Sequence, residues 1–142
     1  MWLVDANVLL YAVNETAPNH AASRAWLDGA LDESVPVAFS WTALLAFLRL
    51  ATHPAVFENP LTVDEATMQV REWLAAPAAV VAEPTARHGD VLSGLLAETG
   101  TAGNLVNDAH LAALAAEHAA TIVTFDRDFT RFPGVRSMRP GT

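Results

Sequence analysis

Apolar residues recur along this chain in two rhythms. Trp2-Leu3-Val4 and Pro36-Val37-Ala38-Phe39 are short continuous runs, the pattern of strands buried on both faces rather than of an alternating surface sheet. Ala79-Val80-Val81-Ala82 and Thr121-Ile122-Val123-Thr124 read as a third and a fourth strand, and Val135 to Met138 offers a short fifth. Between them the apolar positions shift to helical spacing. Helices are predicted over Ala6 to Val13, over 20–31 with Ala22, Trp26, Leu27 and Leu31 on one side, and from an N-cap at Ser40 through Leu50. Thr62-Val63-Asp64-Glu65 has the form of a capping box opening a helix to about Ala75, before Pro77. Further helices are expected over 86–98, with Val91, Leu92, Leu95 and Leu96 inward, and from Leu105 to His118, separated by a Gly100-Thr101-Ala102-Gly103 loop.

Strands that alternate with helices imply parallel pairing and right-handed crossovers, hence an α/β fold. The expected form is a three-layer α/β/α sandwich around a central parallel sheet of four to five strands. A length of 142 residues with 52% hydrophobic content suits one domain spanning 1–142. Trp26, Trp41 and Trp73 fall on helical patterns and read as core or interface residues.

Composition narrows the chemistry. There is no cysteine, which excludes disulfides, thiolate zinc sites and a cysteine nucleophile. The apolar runs fall short of the roughly 18 to 20 residues a membrane span needs, and no basic leader precedes the first strand. The expected setting is the cytoplasm, without membrane attachment. All eight basic residues are arginine and the net charge is −8, which argues against a protein that merely coats nucleic acid. A nuclease escapes that argument, because bound metal ions and local arginines reverse the field at a site. Arg127, Arg131, Arg136 and Arg139 cluster near the C-terminus, either as a solvated patch or facing such a substrate.

Three aspartates stand where apolar segments stop. Asp5 follows the first strand, Asp126 follows the fourth, and Asp108 precedes Leu111, Ala112, Leu114 and Ala115 on the inward stripe of a helix. If the two strands are parallel neighbours, these carboxylates share one crevice. Like charges held together call for a hard divalent cation. Capping roles fit some of these positions as well: Asp5 at one helix start, Asn107 or Asp108 at another, and Asp128 before a short helix through Thr130 to Phe132. Asn7 adds a second polar group near Asp5. The five histidines form no HExxH motif or close pair and read as surface or helix-terminal. Phosphate-loop, nucleophile-elbow and dinucleotide-binding motifs are all lacking.

Three blocks, Val4-Asp5-Ala6-Asn7-Val8-Leu9, Asn107-Asp108-Ala109-His110-Leu111-Ala112-Ala113 and Thr124-Phe125-Asp126-Arg127-Asp128-Phe129, resemble the PIN-domain ribonucleases, in particular the VapC toxins of bacterial toxin-antitoxin pairs. The resemblance implies a parallel-sheet endoribonuclease that cuts RNA with Mg²⁺ or Mn²⁺, forms a homodimer and is silenced by a cognate antitoxin. Acidic ligands carry over to Asp5, Asp108 and Asp126, with Asn7, Thr124 and Asp128 as supporting groups and Arg131 as a contact to the RNA backbone. Ala46 stands where many PIN domains have a glutamate, which favours one well-held ion over two. Two rival readings remain: a PIN module that binds without cutting, and a haloacid-dehalogenase-like phosphatase, whose second acid would fall at Asn7.

Overall fold

The computed structural model describes residues 1–100 and 103–142; Thr101 and Ala102 of the expected loop lie outside them. Five three-residue strands form one parallel sheet: β1 (Trp2–Val4), β2 (Val37–Phe39), β3 (Ala79–Val81), β4 (Thr121–Val123) and β5 (Arg136–Met138), in the order β3-β2-β1-β4-β5. Six α-helices connect them: α1 (Ala6–Val13), α2 (His20–Leu31), α3 (Trp41–Ala51), α4 (Val63–Ala75), α5 (His88–Thr99) and α6 (Val106–Glu117). Short 3-10 turns cover Gly103–Leu105 and Arg127–Arg131.

The strand residues alternate between two cores, which makes the fold three-layered. Val4, Val37, Phe39 and Val123 face a core built with Leu9, Leu27, Leu44, Phe47 and Trp73 from α1 to α4. Leu3, Ala38 and Ile122 face the opposite core, with Leu95 of α5, Leu111, Ala112 and Leu114 of α6, and Phe129 and Phe132 beyond β4. Trp73 stacks near Phe39 and meets Phe47 edge-on at a centroid distance of 4.8 Å, geometry that adds to simple area burial. α6 is apolar nearly all round because it is covered from several sides. Its small Ala109, Ala112 and Ala113 side chains are fully buried.

Local chemistry sets the helix starts. Ser40 caps α3 by accepting from the Ala43 amide. The Thr62 hydroxyl accepts from the Glu65 amide while Glu65 accepts from the Thr62 amide, the expected capping box. The backbone and hydroxyl of Thr62 hold the Glu65 carboxyl below its usual pKa.

Some sequence expectations change. Trp73 is core, whereas Trp41 is 45% exposed and Trp26 is half-buried against Trp2. Leu44 and Phe57 lie in the core, with Leu48 packed against it. The exposed residues on this side are instead Trp41, Leu45 and Val63.

Candidate metal centre

The site begins with the sheet order. β1 lies centrally between β2 and β4, and the chain leaves it toward β2 but reaches β4 only after crossing over, so a crevice opens at the carboxyl ends of β1 and β4. Val4 and Val123 are in register, and the Asp5 amide donates to the Val123 carbonyl at 3.0 Å. The residue that matches Asp5 across this pair is therefore Thr124, not Asp126. Asp126 reaches the crevice through the following turn, where its amide donates to the Thr124 hydroxyl at 3.0 Å.

Asp5 caps α1 and also faces the crevice, so the two roles proposed for it coexist. Its Oδ1 accepts from the Ala6 amide at 2.7 Å, and its Oδ2 accepts from the buried Thr124 hydroxyl at 2.7 Å and, more weakly, from the Asn7 amide at 3.4 Å. Asn7 also donates to Thr124 and accepts from the Phe125 amide, which ties the ends of β1 and β4 together. Burial raises the Asp5 pKa; the bonds from Thr124 and Ala6 work against that, and the charge of Asp126 adds to it.

Asp108 sits in the first turn of α6 without capping it. Its pKa is pushed up to about 6, first by burial and then by Asp126, Asp5 and Asp128. One carboxylate oxygen from each of Asp108, Asp126 and Asp128 lies within 4.8 Å of the others. A Mg²⁺ ion with oxygen ligands at about 2.1 Å spans opposite ligands about 4.2 Å apart. An oxygen-only donor set of this size fits such a hard ion and suits zinc or copper poorly.

Asp128 corrects its favoured capping role. The turn after β4 is capped by Asp126, whose Oδ1 accepts from the Asp128 amide at 2.8 Å. Asp128 is thereby freed to join the carboxylate group, and Arg131 approaches it at 3.6 Å. A pocket of about 410 Å³ opens beside these residues, lined by Asp5 and Asp108 together with Ser40, Ala46, Arg49 and Asn107.

Sequence reasoning missed a second polar cluster. The histidines show no paired motif in sequence and read as surface or helix-terminal, yet His88 Nε2 and His110 Nδ1 are 3.0 Å apart between α5 and α6. His88 Nδ1 donates to Glu117 Oε2 at 2.5 Å, and the Thr85 amide and hydroxyl both donate to Glu117 Oε1. The one available signal was the spacing of His110 and Glu117, about two helical turns apart on one stripe. Burial alone would raise the Glu117 pKa, but the bonds from Thr85 and His88 outweigh it and bring it below the usual range.

This fold and crevice correspond to a known family: the PIN domain matches residues 2–135, and the chain belongs to the PIN-domain family. Its relatives within that family are VapC ribonucleases. Ribonuclease VapC37 of Mycobacterium tuberculosis (strain ATCC 25618 / H37Rv) is 57% identical over 140 residues, covering 99% of this chain and 97% of that protein. Ribonuclease VapC31 of the same strain is 41% identical, covering 99% of each. Among solved structures, VapBC2 from Rickettsia felis, bound to a DNA fragment from its promoter, superposes with a TM-score of 0.72 at 18% identity, covering 98% of both chains. Mycobacterium tuberculosis VapC20, a Sarcin-Ricin loop cleaving toxin, gives 0.69 at 17% identity, covering 96% of this chain and 99% of that one. No described helix is long and apolar enough to cross a membrane.

Proposed function

We propose that the protein is an endoribonuclease dependent on Mg²⁺, with Mn²⁺ able to substitute. In this reading it acts as the toxin of a toxin-antitoxin pair in the cytoplasm, as a homodimer silenced by a cognate antitoxin. The observation that carries the reading is the convergence of Asp5, Asp108, Asp126 and Asp128 on one crevice, in a chain 57% identical to a protein named a ribonuclease.

Asp108, Asp126 and Asp128 would hold the ion, with Asp5 beside them. A divalent ion there supplies charge neutralisation at the phosphate and a more acidic water. Thr124 and Asn7 fix the Asp5 carboxylate in one orientation, so that the acidic wall needs little rearrangement when substrate arrives. Asp126 or Asp128 would position the attacking water and accept its proton, while the P–O bond to the leaving oxygen breaks in line with the attack and that oxygen takes a proton from solvent. No side chain becomes covalently attached. Arg131, already drawn toward Asp128, meets the RNA backbone at the rim.

Sequencing the RNA ends produced by wild type and by Asp5→Asn tests this directly. Discrete new ends with wild type and Mg²⁺, lost with chelator and with Asp5→Asn, are expected; identical end profiles for the two proteins reject it. Ala46, which lines the pocket without a carboxylate, favours a second reading, a module that binds RNA or protein without cutting. Metal-dependent cleavage removes that reading. A haloacid-dehalogenase-like phosphatase finds less support, because Asn7 spends its amide bridging β1 and β4. Phosphomonoesterase activity abolished by Asp5→Asn would revive it.

A further inference from the structure

The pocket poses a charge problem. Three carboxylates grouped together and a fourth beside them leave a negative site even after one divalent ion binds, and the substrate is itself an anion. A cation must face the phosphate, and none of the C-terminal arginines lines the pocket that holds Asp5 and Asp108. Arg131 pairs with Asp128 at 3.6 Å, Arg136 donates to the Ala119 carbonyl at 3.4 Å, and Arg139 lies over the Phe125 ring at 4.9 Å.

Arg49 is different. It is the single basic residue lining the pocket with Asp5 and Asp108, and among the described residues it pairs with no carboxylate. It stands on α3 about one turn after Ala46, on the same face. Ala46 also lines the pocket and offers no ligand for a second ion. The α3 wall thus presents a guanidinium and lacks a carboxylate.

We infer that Arg49 is a substrate-binding and catalytic residue whose guanidinium grips the scissile phosphodiester from the α3 wall, supplying positive charge that a second metal ion would otherwise bring. A guanidinium suits this role because its planar fork donates two parallel hydrogen bonds to phosphate oxygens and never loses its charge. Such a contact strengthens as charge builds on the phosphate oxygens in the transition state. The inference rests on the nuclease reading.

The test compares wild type, Arg49→Ala, Arg49→Lys and Asp5→Asn. Fluorescence anisotropy with a labelled single-stranded RNA in EDTA reads binding without chemistry, and cleavage with Mg²⁺ reads kcat and KM. Arg49→Ala should weaken RNA binding about fivefold and reduce the salt slope by about one. It should also lower kcat by about 10- to 100-fold. Arg49→Lys should recover most of the binding but only part of kcat, and Mn²⁺ affinity should be unaltered in both. Equal RNA binding with an unchanged salt slope in Arg49→Ala overturns the inference, as does a kcat within about twofold of wild type while Asp5→Asn is inactive. If wild type and Asp5→Asn cleave alike, the nuclease reading fails instead, and the anisotropy measurement still decides whether Arg49 binds RNA.

Discussion

α6 carries two polar clusters on opposite sides, and they are built on opposite principles. Asp108 and Glu117 point about half a turn apart around the helix. The Glu117 side chain is fully buried, and every hydrogen bond it needs is present: Thr85 twice and His88 once. Asp108 is half-buried, and its neighbours are Asp126, Asp5 and Asp128, which repel it. Glu117 is a carboxylate whose partners are already in place. Asp108 is one left waiting for a cation, and such unresolved charge marks a site of function rather than of stability.

The largest effect expected from breaking this contrast is on chemistry. Asp108→Asn or Asp126→Asn should lower the RNA cleavage rate by about a thousandfold, because metal-supplied stabilisation is worth several kcal/mol. The same substitutions should raise the thermal midpoint in EDTA, since each removes a repelling charge. A variant that loses activity and stability together would show that the acidic cluster is structural.

Next in size is the other side of the helix. Glu117→Ala leaves the Thr85 and His88 donors without their acceptor and should cost about 1 to 3 kcal/mol, read as a shift of the urea midpoint. RNA cleavage per folded molecule should stay near that of wild type, because Glu117 belongs to the α5 contact and not to the crevice. Cleavage falling in step with that of Asp108→Asn would merge the two clusters into one.

Smaller, and opposite in sign on the two sides, is the response to pH. Asp5 and Asp108 have folded pKa values raised above 3.8, Asp108 to about 6. The native state therefore holds those protons more tightly than the unfolded chain does, and acidification from neutral pH through about 6 toward 4 should stabilise the metal-free protein. Glu117 is lowered from 4.5, so its contribution is present above that value and lost as pH falls through its folded pKa. His110, lowered from 6.5 by burial and by His88, opposes that gain in the same window, so the clean readout is the comparison with Asp108→Asn: on acidification from about pH 7 to 5 in EDTA the wild-type midpoint should gain relative to that of the variant. A difference between the two midpoints that does not change over this range would contradict the repulsion assigned to the crevice.

Smallest is the effect of Thr124→Val. Its hydroxyl orients Asp5 at 2.7 Å and also accepts from the Asn7 side chain and the Asp126 amide, so metal affinity should drop by about tenfold, as for outer-shell partners elsewhere. An unchanged Mn²⁺ affinity would mean that Asp5 needs no such support.

Which of these features could be read from the sequence follows from how local their causes are. The capping box of Thr62 and Glu65 and the cap at Ser40 depend on residues three apart, and both are present as expected. The sheet and its layers follow from apolar rhythm. The expected trio was Asp5, Asp108 and Asp126, whereas the carboxylates within 4.8 Å of one another are Asp108, Asp126 and Asp128; strand order pointed to the crevice between β1 and β4 but not to which side chains the helix α6 and the following turn would bring into it. Asp128 was hard to place, since capping and ligation use the same side chain, and its neighbour Asp126 took the cap. His88, His110 and Glu117 come from two helices whose rotation against each other no local pattern encodes. The same holds for Arg49, whose place in the pocket depends on how α3 sits over the crevice.

Titration of Mn²⁺ into wild type, Asp108→Asn and Asp126→Asn at pH 7.5, followed by electron paramagnetic resonance, tests the central claim most directly. One specific site in wild type, weakened at least about tenfold in each variant, is the predicted result. Equal Mn²⁺ binding by all three proteins would contradict the assignment of a shared ion to these carboxylates.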